Sequence, residues 1–260
     1  MTKMFSPIHG AREGLMNLAA TLGQMGIVAS QISRRLFRLD FDREELLRNL
    51  YKMGVKSVPI VLLTALFTGA TMVVQAAPIV QRYGATQLLG WGAGFGILRE
   101  VGPILTALMI SGRVGANNTA ELGTMTVTEQ IDALRALAID PIAFLIVPRF
   151  VAIVLTLFLS TLYADAVALV GAAYAGQALV GVDPITFYNG LTSDFMGIAD
   201  VTNGLVKSAI FGIAIGLASC TFGTKVTGGA PGVGRAVNAT VVASAAGIFV
   251  VDYFVSFILT

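Results

Sequence analysis

Five apolar segments, each long enough to cross a lipid bilayer as a helix, constrain this chain of 260 residues more than any other feature. A helix needs about 20 apolar residues to span the hydrocarbon core. Hydrophobic residues make up 55% of the chain and charged residues 12%, whereas an average soluble domain has about 25% charged residues. We therefore predict an all-α integral membrane protein with five transmembrane helices. The predicted spans cover about residues 55–80, 87–111, 150–178, 202–222 and 237–259.

The chain divides into an N-terminal segment, residues 1–50, and a membrane domain, residues 51–260. Within the first part, residues 15–32 are apolar at intervals but carry Asn17 and Gln24 among several polar residues and glycines. This pattern favours a helix that lies in the membrane interface over a sixth span. A crossing helix remains the alternative at this stage.

Basic residues predict the orientation of the spans, because Lys and Arg collect in cytoplasmic loops. More than half of the 17 Lys and Arg residues lie within residues 1–56. The opposite loops hold Arg82 alone. We therefore expect a cytoplasmic N-terminus and a C-terminus on the other side. The loops that would share the cytoplasmic side contain Arg113, Arg135, Arg149, Lys225 and Arg235.

Arg99 and Glu100 lie near the middle of the second predicted span, where an ionisable group facing lipid costs at least a few kcal/mol. Neighbouring residues point about 100° apart on a helix, so we expect each to have a partner on another helix or on a ligand. Lys207, Asp165 and Asp252 are available in other spans. Two interpretations follow: a network of ion pairs that fixes helix packing, or a polar patch in a substrate cavity.

Residues 113–141 are polar enough to leave the membrane. Thr128 precedes acidic residues and is a good helix cap. Ile131 and Leu134 then fall on one face, which predicts a short amphipathic cytoplasmic helix. Periodicity alone does not decide whether this helix lies on lipid headgroups or docks a cytoplasmic partner.

Several features exclude other chemistry. The glycine-rich residues 228–235 lack the Lys-Ser/Thr of a nucleotide-binding P-loop, so we predict a tight cytoplasmic turn there. Cys220 and His9 are the only residues of their types, which excludes an intrachain disulfide, a Cys/His zinc site and a His-based triad. The sequence has no stripe of basic residues interleaved with aromatic residues, the pattern typical of nucleic-acid binding. We predict close helix contacts at the small-residue pairs Gly92/Gly96, Gly171/Ala175 and Gly212/Gly216.

The order of several short motifs is specific to one family. Together they resemble the MlaE/YrbE permeases of ABC transporters, over about residues 45–260. The motifs are Leu98-Arg99-Glu100-Val-Gly-Pro103, Ser111-Gly-Arg113-Val-Gly-Ala116, Ala120-Glu121-Leu-Gly-Thr-Met125, Thr128-Glu129-Gln130-Ile131-Asp132-Ala-Leu134, Asp140-Pro141, Pro148-Arg149 and Gly229-Ala-Pro-Gly232-Val-Gly-Arg235.

The resemblance implies a homodimeric permease that moves phospholipid between the inner and outer membranes of double-membraned bacteria. It implies a bacterial inner-membrane location, with the C-terminus in the periplasm. The expected partners are a separate ATPase, which holds ATP and magnesium, an MCE-domain lipid-binding protein and often a STAS-domain subunit. No cofactor or catalytic residue is expected in this chain.

The resemblance also implies roles for individual residues. Residues in and after the second span would serve two sites, one in the membrane and one at the ATPase. The expected lipid-cavity residues are Arg99, Glu100 and Lys207, and the expected ATPase-coupling residues are Glu121, Glu129, Gln130 and Asp132.

Two alternatives to a lipid permease follow from the residues alone. An ion- or proton-coupled secondary transporter would use Asp165, Glu100 or Asp252 as a buried relay. Against it, the sequence has no inverted repeat and no matching pair of broken helices. The second alternative is a membrane scaffold whose charges only hold helices together.

Overall fold

The computed structural model describes residues 7–38, 41–84, 86–192 and 196–259, so residues 1–6 of the predicted N-terminal segment lie outside it. Every regular element in the described ranges is a helix, which confirms the predicted all-α fold. Five helical segments are long and apolar enough to cross a membrane. The helices are α1 (Pro7–Phe37), α2 (Arg43–Met53), α3 (Val58–Tyr83), α4 (Leu88–Val127), α5 (Gln130–Ala136), α6 (Ile142–Val180), α7 (Pro184–Leu191), α8 (Ile198–Gly223) and α9 (Gly229–Leu259).

Helix α4 is longer than the second predicted span, which was expected to end at residue 111. It continues to Val127 and contains two π turns, Ile97–Val101 and Ser111–Gly115. A π turn inserts one extra residue into a helix and changes the direction of the side chains around it. The predicted region 113–141 is therefore partly an extension of α4, and only its second half forms a separate short helix, α5.

Helices α6 and α9 each begin eight residues before the predicted starts at 150 and 237. The prediction of a tight turn at residues 228–235 is wrong, because only Gly228 and Gly229 have positive φ angles, 86° and 67°. The remaining residues of that motif form the first turns of α9. Pro231 is tolerated there, since the first N–H groups of a helix have no partner within the helix.

Close helix contacts occur at all three predicted small-residue pairs, although in the pair Gly92/Gly96 only Gly96 makes one. A Cβ atom added at Gly96 would lie 2.8 Å from Met72 Cε of α3. A Cβ atom added at Gly171 of α6 would lie 2.1 Å from the carbonyl oxygen of Leu66 in α3. Gly212 and Gly216 of α8 lie against α6, whereas Gly92 has no neighbouring atom within 4 Å of its position for a Cβ. The small residues thus allow α3 and α8 to pack closely on α6. Buried core residues at these contacts include Val61, Val73, Ile153 and Leu157.

Helix α1 lies across one end of the helix bundle. Its buried residues Val28 and Ile32 belong to one apolar cluster with Leu122, Ile146 and Cys220, which lie near the ends of α4, α6 and α8. Among the described residues α1 is not one of the candidate membrane spans. This placement favours the predicted interfacial helix over a sixth span.

Candidate functional site

Lys207 meets two carboxylates inside the bundle, and each of the three charged side chains comes from a different helix. The Lys207 Nζ atom of α8 donates a hydrogen bond to Glu100 Oε2 of α4 at 2.6 Å. It also lies 3.0 Å from Asp252 Oδ1 of α9, in the geometry of an ion pair without a hydrogen bond. Lys207 is only 1% exposed. We call these three residues the Lys207 cluster; with one cation and two carboxylates, it carries a formal charge of −1.

Arg99 lies beside the cluster and faces a different carboxylate. Its Nη1 atom donates to Asp200 Oδ1 of α8 at 3.3 Å. The guanidinium carbon lies 5.3 Å from the centre of the Phe95 ring, within the range of a cation–π contact. The prediction that Arg99 and Glu100 have partners on another helix is therefore confirmed, and both partners lie on α8.

The backbone of α4 brings these charges to α8. Arg99 and Glu100 lie within the first π turn, which re-aims side chains in this part of the helix. A Cβ atom added at Gly204 of α8 would lie 1.9 Å from the carbonyl oxygen of Leu98. Only glycine allows this approach, so Gly204 determines how near Lys207 comes to Glu100.

Asp165 does not join this site, although the sequence offered it as a partner for the membrane charges. It is 5% exposed, and its Oδ1 atom has no hydrogen-bond partner among the described residues. That oxygen lies 1.9 Å from the position of a Cβ at Gly102. The partner of Arg99 is Asp200, which we did not predict. A signal was present, because Asp200 and Lys207 lie seven residues apart, on one face of a helix.

An apolar groove of about 460 Å³ runs between α3 and α4. One of its lining residues is the sequence neighbour of a member of the Lys207 cluster. Val101, which lines the groove, follows Glu100 directly. Threonines and Gln75 form a polar stripe along an otherwise apolar wall. The α3–α4 groove is lined by Leu63, Thr64, Phe67, Thr68, Thr71, Met72, Gln75, Val101 and Leu105.

Glu121, one of the predicted coupling residues, faces the interior of the bundle end. It forms ion pairs with Lys52 of α2 and, at 3.0 Å, with Arg149 of α6. Arg149 is 6% exposed and lies 4.0 Å from Glu45. These contacts connect α2, α4 and α6, so Glu121 is placed to hold three helices together.

The other predicted coupling residues lie on the exposed turn that precedes α5 and in the first turn of α5. Glu129 has a positive φ of 59° and immediately precedes α5, so the helix does not begin at Thr128 as predicted. The Thr128 hydroxyl instead donates to the Thr124 carbonyl at 2.8 Å. Gln130 and Asp132 are exposed, and Asp132 pairs with an arginine one turn later. This turn is a surface that a soluble partner could contact directly.

Comparison with known proteins identifies the family. A family model described as permease MlaE matches residues 46–258. A probable ABC transporter permease of Synechocystis is 35% identical over 251 residues, which cover 96% of this chain and 95% of the relative. Protein TRIGALACTOSYLDIACYLGLYCEROL 1 of Arabidopsis thaliana chloroplasts is 34% identical over 88% of this chain and 65% of its own length.

A further relative carries a more specific name. The intermembrane phospholipid transport system permease protein MlaE of Haemophilus influenzae is 29% identical over 95% of this chain and 90% of its own length. The family model covers most of the membrane domain, and the Synechocystis relative aligns over nearly the whole chain. This chain therefore belongs to the MlaE family of ABC transporter permeases.

Proposed function

We propose that this chain is the inner-membrane permease that passes phospholipid between the two membranes of a double-membraned bacterium, driven by a separate ATPase. The observation that carries the proposal is that helix α4 contributes adjacent residues, Glu100 and Val101, to the Lys207 cluster and to the α3–α4 groove. A phospholipid needs an apolar surface for its acyl chains and a few polar groups for its headgroup. The groove provides the first. Arg99, whose side chain is 19% exposed, provides a cation for a phosphate, and the buried Lys207 holds Glu100 beside it.

The homodimer belongs to the same proposal. Helix α9 is the least covered of the five candidate spans. In its most apolar stretch of 18 residues 11% is buried inside the protein, against 28–56% in the other four spans. Its exposed side chains include Phe249, Tyr253 and Phe254, and it contributes Asp252 to the Lys207 cluster. A second copy packed on this face would bring the Lys207 clusters of the two protomers toward each other. An MCE-domain protein and a STAS-domain subunit are the further partners we propose.

Purification from native membranes tests the lipid permease directly. We expect this chain, extracted in mild detergent, to carry a nucleotide-binding ATPase, an MCE-domain protein and bound phospholipid, all identified by mass spectrometry. Repeated recovery without an ATPase, from membranes crosslinked before extraction, would contradict the proposed assembly. Membership of an ABC permease family leaves the ion-coupled alternative without support, because these permeases draw their energy from ATP.

The proposed coupling mechanism is a shift between two states of the dimer. Closure of the ATPase subunits would move α5, and α4 continues from this end of the bundle to the π turn that holds Arg99 and Glu100. Glu121 ties the same part of α4 to α2 and α6. Movement at the exposed turn would therefore reach the Lys207 cluster through one continuous helix.

The double variant Glu129→Gln/Gln130→Ala tests this route. We expect lipid transfer by the reconstituted complex to fall roughly tenfold, which corresponds to the loss of one strong interface contact. Thermal stability should stay close to that of wild type, because both residues are exposed and surface substitutions usually change stability by about 0.5 kcal/mol or less. ATP hydrolysis should persist without transfer.

A matched control is Glu44→Gln, at an exposed glutamate of α2 whose side chain makes no hydrogen bond or ion pair with the described residues. It should leave transfer unchanged. Normal coupled transfer by the double variant would show that Glu129 and Gln130 do not couple the permease to its ATPase.

A further inference from the structure

A second site for a charged ligand lies at the C-terminal end of α1, apart from the groove and the Lys207 cluster. Gln31, Arg34, Arg35 and Arg38 follow the spacing i, i+3, i+4 and i+7, which places them on one face of this helix. Together with residues 140 and 142, which precede and begin α6, they line a cavity of about 320 Å³. Three guanidinium groups therefore surround one small cavity.

Asp140, the one carboxylate among the described lining residues, does not neutralise the positive charge of the three arginines. Asp140 Oδ2 lies 2.6 Å from Arg35 Nη2, and Asp140 Oδ1 accepts the backbone N–H of Ile142 at 3.0 Å. Both oxygens are thus engaged. The side chains of Arg34 and Arg38 form no ion pair or hydrogen bond with the described residues. Among the described residues that line the cavity, three arginines and one aspartate give a formal charge of +2.

The position of α1 indicates where this charge lies relative to the membrane. The buried residues Val28 and Ile32 attach the helix to the ends of three other helices, as described above. On another face, Leu22, Leu36 and Phe37 are exposed, Phe37 to 90%. A helix with an exposed apolar face and an adjacent arginine stripe is suited to the boundary between acyl chains and headgroups.

We propose that this cavity binds the phosphate of an anionic phospholipid and thereby anchors α1 in the headgroup layer. Arginine forks can hold phosphate oxygens in paired hydrogen bonds, and Arg34 and Arg38 are available for this. Basic pockets beside membrane helices commonly bind anionic headgroups. A lipid matches the site better than free phosphate does, because its acyl chains would cover Leu36 and Phe37. The bound lipid is a structural ligand, separate from any lipid in the α3–α4 groove.

Native mass spectrometry of the full chain, titrated with phosphatidylglycerol or phosphatidylcholine in detergent, tests this site. We expect wild type to retain one more phosphatidylglycerol than phosphatidylcholine. Arg34→Gln/Arg38→Gln should weaken that additional binding roughly 30-fold, which corresponds to about 1 kcal/mol for each charge removed. The matched control Arg43→Gln/Lys225→Gln removes two exposed charges, one from α2 and one from the loop between α8 and α9, and should bind as wild type does.

Two results would overturn the proposal. One is equal phosphatidylglycerol retention by the Arg34→Gln/Arg38→Gln variant and the control. The other is an arginine-dependent site that inorganic phosphate fills and blocks at millimolar concentration, which would identify a free anion as the occupant. Lipid bound in the α3–α4 groove does not depend on these arginines, so its loss would lower binding of both phospholipids in both variants. A failure of the proposed transport function can therefore be told apart from a failure of the arginine site.

Discussion

Replacing Lys207 with methionine is expected to lower the free energy of unfolding by about 3 kcal/mol and to abolish the proposed lipid transfer. Removing one partner of a buried ion pair leaves the remaining charges without compensation, which costs about 3–5 kcal/mol. We expect the lower end of this range, because the Glu100 side chain is 35% exposed and retains some hydration. Thermal unfolding in detergent, followed by size-exclusion chromatography, measures the loss.

Two further variants separate the structural effect from the functional one. In Lys207→Met/Glu100→Gln/Asp252→Asn no charge of the cluster remains, so most of the lost stability should return while lipid transfer stays absent. Lys225→Met, at an exposed lysine between α8 and α9, controls for the general effect of losing one positive charge. A single Lys207→Met variant as stable as the Lys225→Met control would disprove the cost assigned to the two unpaired carboxylates.

The substitution Gly204→Ala is expected to be nearly as damaging, at about 3 kcal/mol. The added methyl group would meet the Leu98 carbonyl oxygen at 1.9 Å, so α8 and α4 have to move apart. Overpacking of a tight core usually costs about 1–3 kcal/mol, and backbone atoms cannot rotate out of the way as a side chain can. The same movement would lengthen the 2.6 Å contact between Lys207 and Glu100.

Gly92→Ala in α4 is the matched control, because no atom lies within 4 Å of its added Cβ. It should be neutral or stabilising by about 0.5–1 kcal/mol, since alanine favours a helix more than glycine does. Thermal unfolding of both variants, with a crosslink between cysteines placed on α4 and α8, reports stability and helix separation together. Equal stability of Gly204→Ala and Gly92→Ala would contradict the close contact at Gly204.

The sequence predicted the helices of the membrane domain well but their ends less well. Apolar content over about 20 residues is a local property, and it identified all five spans. Helix α6 begins with the apolar residues 142–147, which Pro148 and Arg149 separate from the predicted span. The start of α9 and the end of α4 lie outside the apolar runs. There the helix continues through polar or glycine-rich residues, because backbone hydrogen bonds and packing against neighbours sustain it. Composition alone carries no signal for that continuation.

The charged residues within the spans were likewise predicted only in part. An ionisable group within a span needs a polar partner, so the partners of Arg99 and Glu100 could be expected from the sequence. The sequence also named Lys207 and Asp252 among the candidates. It equally offered Asp165, and it did not offer Asp200. Choosing among carboxylates requires knowing which helices are neighbours and at what height they meet.

The sequence by itself determined the number of spans and the residues whose charges would need partners, and it favoured an interfacial segment at residues 15–32 without excluding a crossing helix. It also carried the motifs that identify the MlaE family. Only the tertiary structure decided that Glu121 joins Lys52 and Arg149, that Arg99 meets Asp200 and that Gly204 allows α8 to reach α4. The physical reason is that burying apolar residues and avoiding unpaired charge are requirements of each segment alone, whereas the partner of each charge depends on how the segments pack.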